Sequence, residues 1–398
     1  MSHLYYWGHY LALLEEFLKE TIFLTRELIK INTVNPPGNE LPAAEFLASW
    51  MEKHGYEVHI QKFEKNRGNI IGVIKGSGEK PSLILNGHLD VVPIGRREEW
   101  SHDPFGAEVV ENKIYGRGST DMKGGIAAMA VAGYMLIKES VRLKGDLIVS
   151  AVAGEEVDSI GAKYFAESPW FKNSMGMIIG EPTAMDLVIA HKGALWVKIK
   201  TYGKAAHGSL PHLGVNAILH MVEVIKKLTE YKFKFEPVKL LTPPTMNVGT
   251  INGGIKTNVV PDYCEITVDM RTLPTQNHEE IIKDLNDMLK ELQEKIPNFK
   301  AELEIINNRH PLMTDPNSPI VLEAKNVYKE VLNIEPEPKG VTYYTDASEF
   351  ILHPGCPPII IIGPGRMELA HKPDEYVEVD MLSKALKFYY ALCKRVLA

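Results

Sequence analysis

Cysteine is scarce. The chain of 398 residues has three, Cys264, Cys356 and Cys393, all far apart. That excludes a disulfide framework and any close pair of thiols for a metal. Long hydrophobic runs are missing as well. The most apolar stretch, about Pro357 to Gly363, is far too short to span a bilayer. There is no block of basic residues, and the formal net charge is -7, so nucleic acid is a poor candidate partner. The start lacks a basic segment followed by an apolar run and a small-residue cleavage site, so no secretory signal is expected. Cytoplasmic residence is the simplest expectation. Glutamine stands only at Gln61, Gln276 and Gln293, a hint of a hot habitat that the ordinary asparagine content weakens.

What remains is a soluble, globular composition: 45% hydrophobic and 24% charged. The length suits two domains, or one large domain carrying an insertion. Leu14, Phe17, Leu18, Leu24, Leu28 and Ile31 recur at helical spacing and stop before Asn35-Pro36-Pro37-Gly38. A second helix is expected from about Pro42 to Lys53. Strands are expected at Tyr56–Phe63, Asn69–Ile74 and Ser82–Asn86. Met122 to Ile137 predicts a buried helix, and Leu147–Val152 and Met177–Ile179 predict interior strands, because they are apolar without alternation. Later, Ile320–Val331 predicts a helix, Pro358–Ile362 a strand, and Met381–Val396 a closing helix. Alternating strands and helices argue α/β.

The stretch from about Leu195 to Ile306 follows another rule. Leu195, Val197 and Ile199 alternate with Lys198 and Lys200. Cys264, Ile266, Val268 and Met270 alternate with Glu265, Thr267 and Asp269. With two helical stripes between and after them, the predicted order is β-α-β-β-α-β, a ferredoxin-like arrangement. The expected division is 1–190 and 309–398 for a mixed-sheet α/β domain, and 191–308 for an inserted one.

Polar residues of ligand type follow the apolar strands again and again. Asn86-Gly87-His88-Leu89-Asp90 comes first; an imidazole there can take a metal while Asp90 holds its other nitrogen, or the segment is a capped turn. Next is Tyr115-Gly116-Arg117-Gly118-Ser119-Thr120-Asp121-Met122-Lys123-Gly124-Gly125. Its glycines suit a tight backbone around one carboxylate. A phosphate loop is excluded, because glycine rather than Ser or Thr follows Lys123. Gly154-Glu155-Glu156 puts two carboxylates side by side. Either it is a solvated turn, or one carboxylate binds a metal and the other, with a raised pKa, is a general base. Gly180-Glu181-Pro182 and Ala370-His371-Lys372-Pro373-Asp374-Glu375 repeat the pattern. Open α/β sheets carry their sites at strand carboxyl ends. Two imidazoles with several carboxylates suit a pair of borderline ions such as zinc.

The stretches GHLDVVP, WSHDPFGAEVVENKIYGRGSTDMKGG, AGEEVDSIGA, IGEPT, HGSLPHLGVNAI and GPGRMELAHKPDEYVEV resemble the M20 metallopeptidase family over nearly the whole chain. That family includes acetylornithine deacetylases, succinyl-diaminopimelate desuccinylases, aminoacylase-1 and glutamate carboxypeptidases. The resemblance implies a di-metal hydrolase of amide bonds, with an inserted ferredoxin-like lid and dimerisation domain. It implies His88 and Glu181 on one metal, Glu156 and His371 on the other, and Asp121 bridging. Asp90 would orient His88, and Glu155 would be the base. His207 would stabilise the oxyanion, and Asn258 and Arg271 would bind substrate oxygens and carboxylate. By residue type alone, His207 is a histidine in a polar loop and Arg271 a charge at a strand end. Two divalent ions, zinc or else cobalt or manganese, are expected. So is a homodimer acting on a small N-acyl amino acid or, alternatively, on short peptides.

Overall fold

The computed structural model describes residues 2–398, with side chains from Leu14 onward. It divides into two compact units, 1–189 with 314–339 and 345–398, and 190–313 with 340–344.

The first unit is built on a mixed sheet. From one edge inward its strands are Glu57–Glu64, Arg67–Ile74, Leu147–Val152, Ser82–His88, Ser174–Ile179, Ile359–Ile361 and the first residues of Val188–His191. The edge strands pair antiparallel. The four at the centre, Leu147–Val152, Ser82–His88, Ser174–Ile179 and Ile359–Ile361, are mutually parallel. Every residue of Leu147–Val152 is buried, as a central strand covered on both faces requires. Two of the covering helices are Gly124–Lys138 and Val379–Leu397. The first is apolar almost all round, so it can only lie inside. Its glycines permit close approach: a Cβ on Gly133 would meet the Tyr56 hydroxyl at 2.0 Å.

Parallel central strands have one consequence for chemistry. Residues just beyond Ser82–His88, Leu147–Val152 and Ser174–Ile179 leave the sheet at the same end. These are Leu89 and Asp90, directly after His88 at its strand's last position, Gly154 to Glu156 and Glu181.

The second unit is a four-stranded antiparallel sheet in the order Thr245–Gly253, Tyr263–Thr272, Gly193–Tyr202, Lys300–Arg309. Helices Ala217–Glu230 and Asn277-capped His278–Lys295 complete the ferredoxin-like succession. Their core pairs Val197, Ile199, Ile266 and Val268 with Met221, Val224, Leu285 and Leu289. Burial alternates along Gly193–Tyr202 and Tyr263–Thr272. On the other face run ion pairs such as Lys200–Glu304. No helix among the described residues is long and apolar enough to cross a membrane.

Candidate metal centre

The residues that follow the parallel strands converge. His88, Asp121 and Glu181 form one group whose donor atoms lie within 4.8 Å of one another, and Asp121, Glu156 and His371 form a second. Asp121 belongs to both. Its Oδ1 lies 3.1 Å from His88 Nε2, and its Oδ2 lies 3.2 Å from His371 Nε2. Glu181 Oε1 is 3.8 Å from His88 Nε2, and Glu156 Oε1 is 3.2 Å from His371 Nε2. A third group joins His88 to Glu155 and Glu156. Geometry therefore gathers both adjacent glutamates, and Glu156 alone of the two also meets His371.

Local backbone explains the presentation. Gly154 has φ +89°, and a Cβ there would meet Asp158 Oδ1 at 2.5 Å and Arg67 Nη2 at 2.7 Å. Only glycine fits this turn, which swings Glu155 and Glu156 off the strand end. His371 itself stands at φ +64°, a conformation that non-glycine residues adopt mainly where the surroundings impose it.

The charge balance is lopsided. Asp121, Glu155, Glu156 and Glu181 crowd against two imidazoles in a site that is buried except at His371. Burial pushes Glu155 and Glu181 well above the usual carboxylate range; His88 opposes the shift, and their acidic neighbours add to it. Burial and Asp121 raise Glu156 as well. Asp121 goes the other way: burial opposes its ionisation, but His371 and His88 hold it below the usual range. Burial would lower His88, yet Glu181, Asp121 and Asp90 raise it well above normal. His371 is pushed up to about 10, chiefly by Asp121 and Glu156. A donor set of two imidazoles and four carboxylates, oxygen-rich and anionic, fits divalent cations of borderline character.

Asp90 does something the sequence reading did not include. His88 Nδ1 is 2.9 Å from the Asp90 backbone carbonyl but 3.6 Å from its carboxylate. The carboxylate has further partners. It accepts the backbone N–H groups of Gly154, Glu155 and Glu156 and the side-chain amide of Asn35. Asp90 thus ties the His88 strand end to the turn of the two glutamates.

Four other residues at this centre carry no role in the sequence reading. Asn35 lay in a segment read only as a helix breaker. Buried Asp346 sits close enough to help raise both Glu155 and Glu181. Arg117 and Glu375 form a buried ion pair behind the Asp121 loop. Nothing in local periodicity marks them, though a buried charge beside a glycine-rich loop is a signal worth seeking.

His207, Asn258 and Arg271 lie in the second unit. His207 is exposed and its Nδ1 is 2.7 Å from Ser209 Oγ. Gly208 N donates to the Asn258 carbonyl at 2.8 Å, so the loops of His207 and Asn258 are held together. Arg271, near the end of its strand, is paired with Asp269 at 3.0 Å.

A buried, carboxylate-rich group that could hold metal at the carboxyl ends of parallel strands suits metal-assisted hydrolysis. The chain matches Peptidase family M20/M25/M40 over residues 84–395 and belongs to that family. It is 30% identical to a probable succinyl-diaminopimelate desuccinylase of Staphylococcus aureus, over 93% of this chain and 96% of the relative. It is 33% identical to an acetylornithine deacetylase of Vibrio cholerae, over 88% and 92%. Among solved structures, it resembles an M20 family metallo-carboxypeptidase from Sulfolobus solfataricus with a TM-score of 0.79 at 22% identity, over 94% and 98%. A dinuclear metal-binding M20 peptidase of Bacillus subtilis gives 0.73 at 16%, over 96% and 99%. The protein is a hydrolase of amide C–N bonds that uses divalent metal.

Proposed function

We propose that this hydrolase removes an acyl group from a small N-acyl amino acid, with two metal ions held by the cluster. The observation that carries the two-ion reading is the division of Asp121, one oxygen toward His88 and the other toward His371. His88 and Glu181 would hold one ion, Glu156 and His371 the other, and Asp121 both. Zinc is the expected metal, with cobalt or manganese as alternatives. Bound there, the ions would supply Lewis acidity for the scissile carbonyl and for activating water.

The chain's own residues do the rest. Glu155, buried and with its pKa raised, takes the proton of the attacking water and passes it to the leaving amine. Asp90 keeps the Glu155–Glu156 turn in place through three backbone N–H bonds. His207 serves the oxyanion, and Arg271, with its planar fork, the substrate carboxylate, joined by Asn258. Their motif positions support these three roles.

The acyl amino-acid reading follows the named relatives, a desuccinylase and a deacetylase at about 30% identity over nearly full length. Its test is a panel of N-succinyl and N-acetyl amino acids against dipeptides, compared by kcat/KM. A higher value on an N-acyl amino acid is expected; preference for dipeptides overturns it in favour of a peptidase.

A homodimer through the inserted unit belongs to the same reading. Thr245–Gly253 is an edge strand with most residues exposed, and Leu219 and Val222 stand exposed on the helix Ala217–Glu230. An unpaired edge beside an apolar face suits a symmetric copy. Sedimentation is expected to give the dimer mass, and an active monomer at working concentration refutes it.

A further inference from the structure

The loop that carries Asp121 is clipped to the loop that carries His371, and the clip is buried. Glu375 stands four positions after His371. Its Oε1 accepts three backbone N–H bonds from the other loop, from Gly118 at 3.0 Å, Thr120 at 3.0 Å and Asp121 at 3.2 Å. Its Oε2 accepts from the Arg117 guanidinium. Its main-chain carbonyl accepts from Gly116 N at 2.8 Å. Arg117 also donates to the carbonyls of Lys372 and Pro93, each at 3.3 Å, and lies 5.2 Å from the centre of the Trp100 ring. Arg366 N donates to Thr120 Oγ1 at 3.0 Å, a second tie between the same loops.

Both charged partners are 1% exposed. A buried ion pair is weak evidence for stability, since desolvating two charges offsets much of their attraction. What this one does is geometric. The third N–H on Glu375 is that of Asp121 itself, the residue whose two oxygens face His88 and His371. Losing the Glu375 carboxylate removes the side-chain acceptor of those three N–H groups and loosens the hold on the loop that carries Asp121.

We propose that Glu375, with Arg117 as its partner, is a positioning residue that holds the Asp121 loop against the His371 loop and so sets how tightly the chain retains its metal. This rests on the ligand roles proposed above. Groups behind a ligand that fix its direction are commonly worth about 10–100-fold in metal affinity.

The test compares full-length variants by chelator titration, with metal content measured directly, beside thermal unfolding of the same samples. Glu375→Gln keeps the shape but sets an amide donor against Arg117. Arg117→Met with Glu375→Gln removes that conflict and both charges together. Glu375→Asp keeps the charge on a shorter arm. Leu386→Ala, in the buried face of the helix Val379–Leu397, supplies a destabilised control. The first two are expected to lose metal at about 10–100-fold lower chelator concentration, with Glu375→Asp between them and the unaltered chain. The control is expected to unfold earlier and keep its metal normally. Folded variants with unaltered retention overturn the proposal. So does retention that falls no further than in the control, and so does failure of all three variants to fold, which would make the pair purely structural. The underlying ligand reading is tested apart: Glu156→Gln retaining the full metal content overturns that reading, whatever Glu375 does.

Discussion

Leu147–Val152 and Gly193–Tyr202 are neighbouring chapters of one chain, and they bury their residues by different rules. The first is buried at every position, while the second alternates from Leu195 onward. The cause is what covers each sheet. Helices close both faces around the first strand. Helices Ala217–Glu230 and His278–Lys295 close one face of the second, and the other carries Lys198, Lys200, Glu265 and Glu304 in ion pairs. A parallel sheet, dry on both sides, sends its functional groups out at its ends. An antiparallel sheet with a wet face can carry charge along its length. That is why the candidate ligands His88, Glu156 and Glu181 gather at strand ends in the first unit, whereas Arg271 stands within the strand Tyr263–Thr272 of the second.

The sharpest way to break this comparison is at the strand end itself. Glu155→Gln is expected to keep both metals and lower kcat by ~10²–10⁴-fold, the scale of general-base loss. Glu156→Gln is expected to lose a metal. Turnover and metal content measured on the same samples decide it, and the reverse pattern exchanges the two roles. The next effect lies inside the strands. Ile84→Ala and Leu85→Ala alter adjacent positions that are both buried, so each is expected to destabilise by about 2–5 kcal/mol. Ile199→Ala is expected to do the same, while Lys200→Ala next to it leaves the melting temperature nearly unchanged. Equal losses at Ile199 and Lys200, or unequal ones at Ile84 and Leu85, contradict the two rules of burial.

Acid sensitivity sharpens the comparison from the second unit. His191 is fully buried, its Nε2 has no partner, and burial lowers its pKa to about 4. An unfolded histidine titrates near 6.5. Between those values the unfolded chain binds the proton and the folded chain does not, so stability falls as pH drops from about 6.5 to about 4. The loss amounts to at most about 3 kcal/mol. Unfolding of His191→Gln followed across that range is expected to lack this component; an unchanged pH slope refutes it. The smallest expected effect is Arg271→Lys. It keeps the charge and loses the planar fork, so KM should rise by roughly tenfold. Unaltered kinetics remove Arg271 from substrate binding.

Much of this was legible in residue order. The alternation of Lys198 and Lys200 with Val197 and Ile199 foretold the half-wet sheet, and the unbroken run Leu147–Val152 foretold the buried one. The apolar helix predicted at Met122–Ile137 runs from Gly124 to Lys138, and the closing helix from Val379 to Leu397. The M20 family is legible in motifs such as GHLDVVP and IGEPT. The partners of Asp90 were not. Besides standing 3.6 Å from His88, two positions away, its carboxylate accepts from the turn 154–156, some 64 positions on. Nor was Glu375 legible as the acceptor for the Asp121 loop, 254 positions before it.

Sequence by itself determined the order of strands and helices, the change of burial rule near residue 195, and the placing of ligand-type residues just past apolar strands. These are local properties, written in a period of two or of 3.6 residues. Tertiary structure alone decided which Asp121 oxygen faces which imidazole, how the adjacent glutamates divide between neighbours, and which buried carboxylates hold the loops. Those outcomes depend on strand order and on crossovers that bring His371 within 3.2 Å of Glu156, 215 positions earlier in the chain. No local pattern encodes such a distance, because it is set by the packing of whole elements.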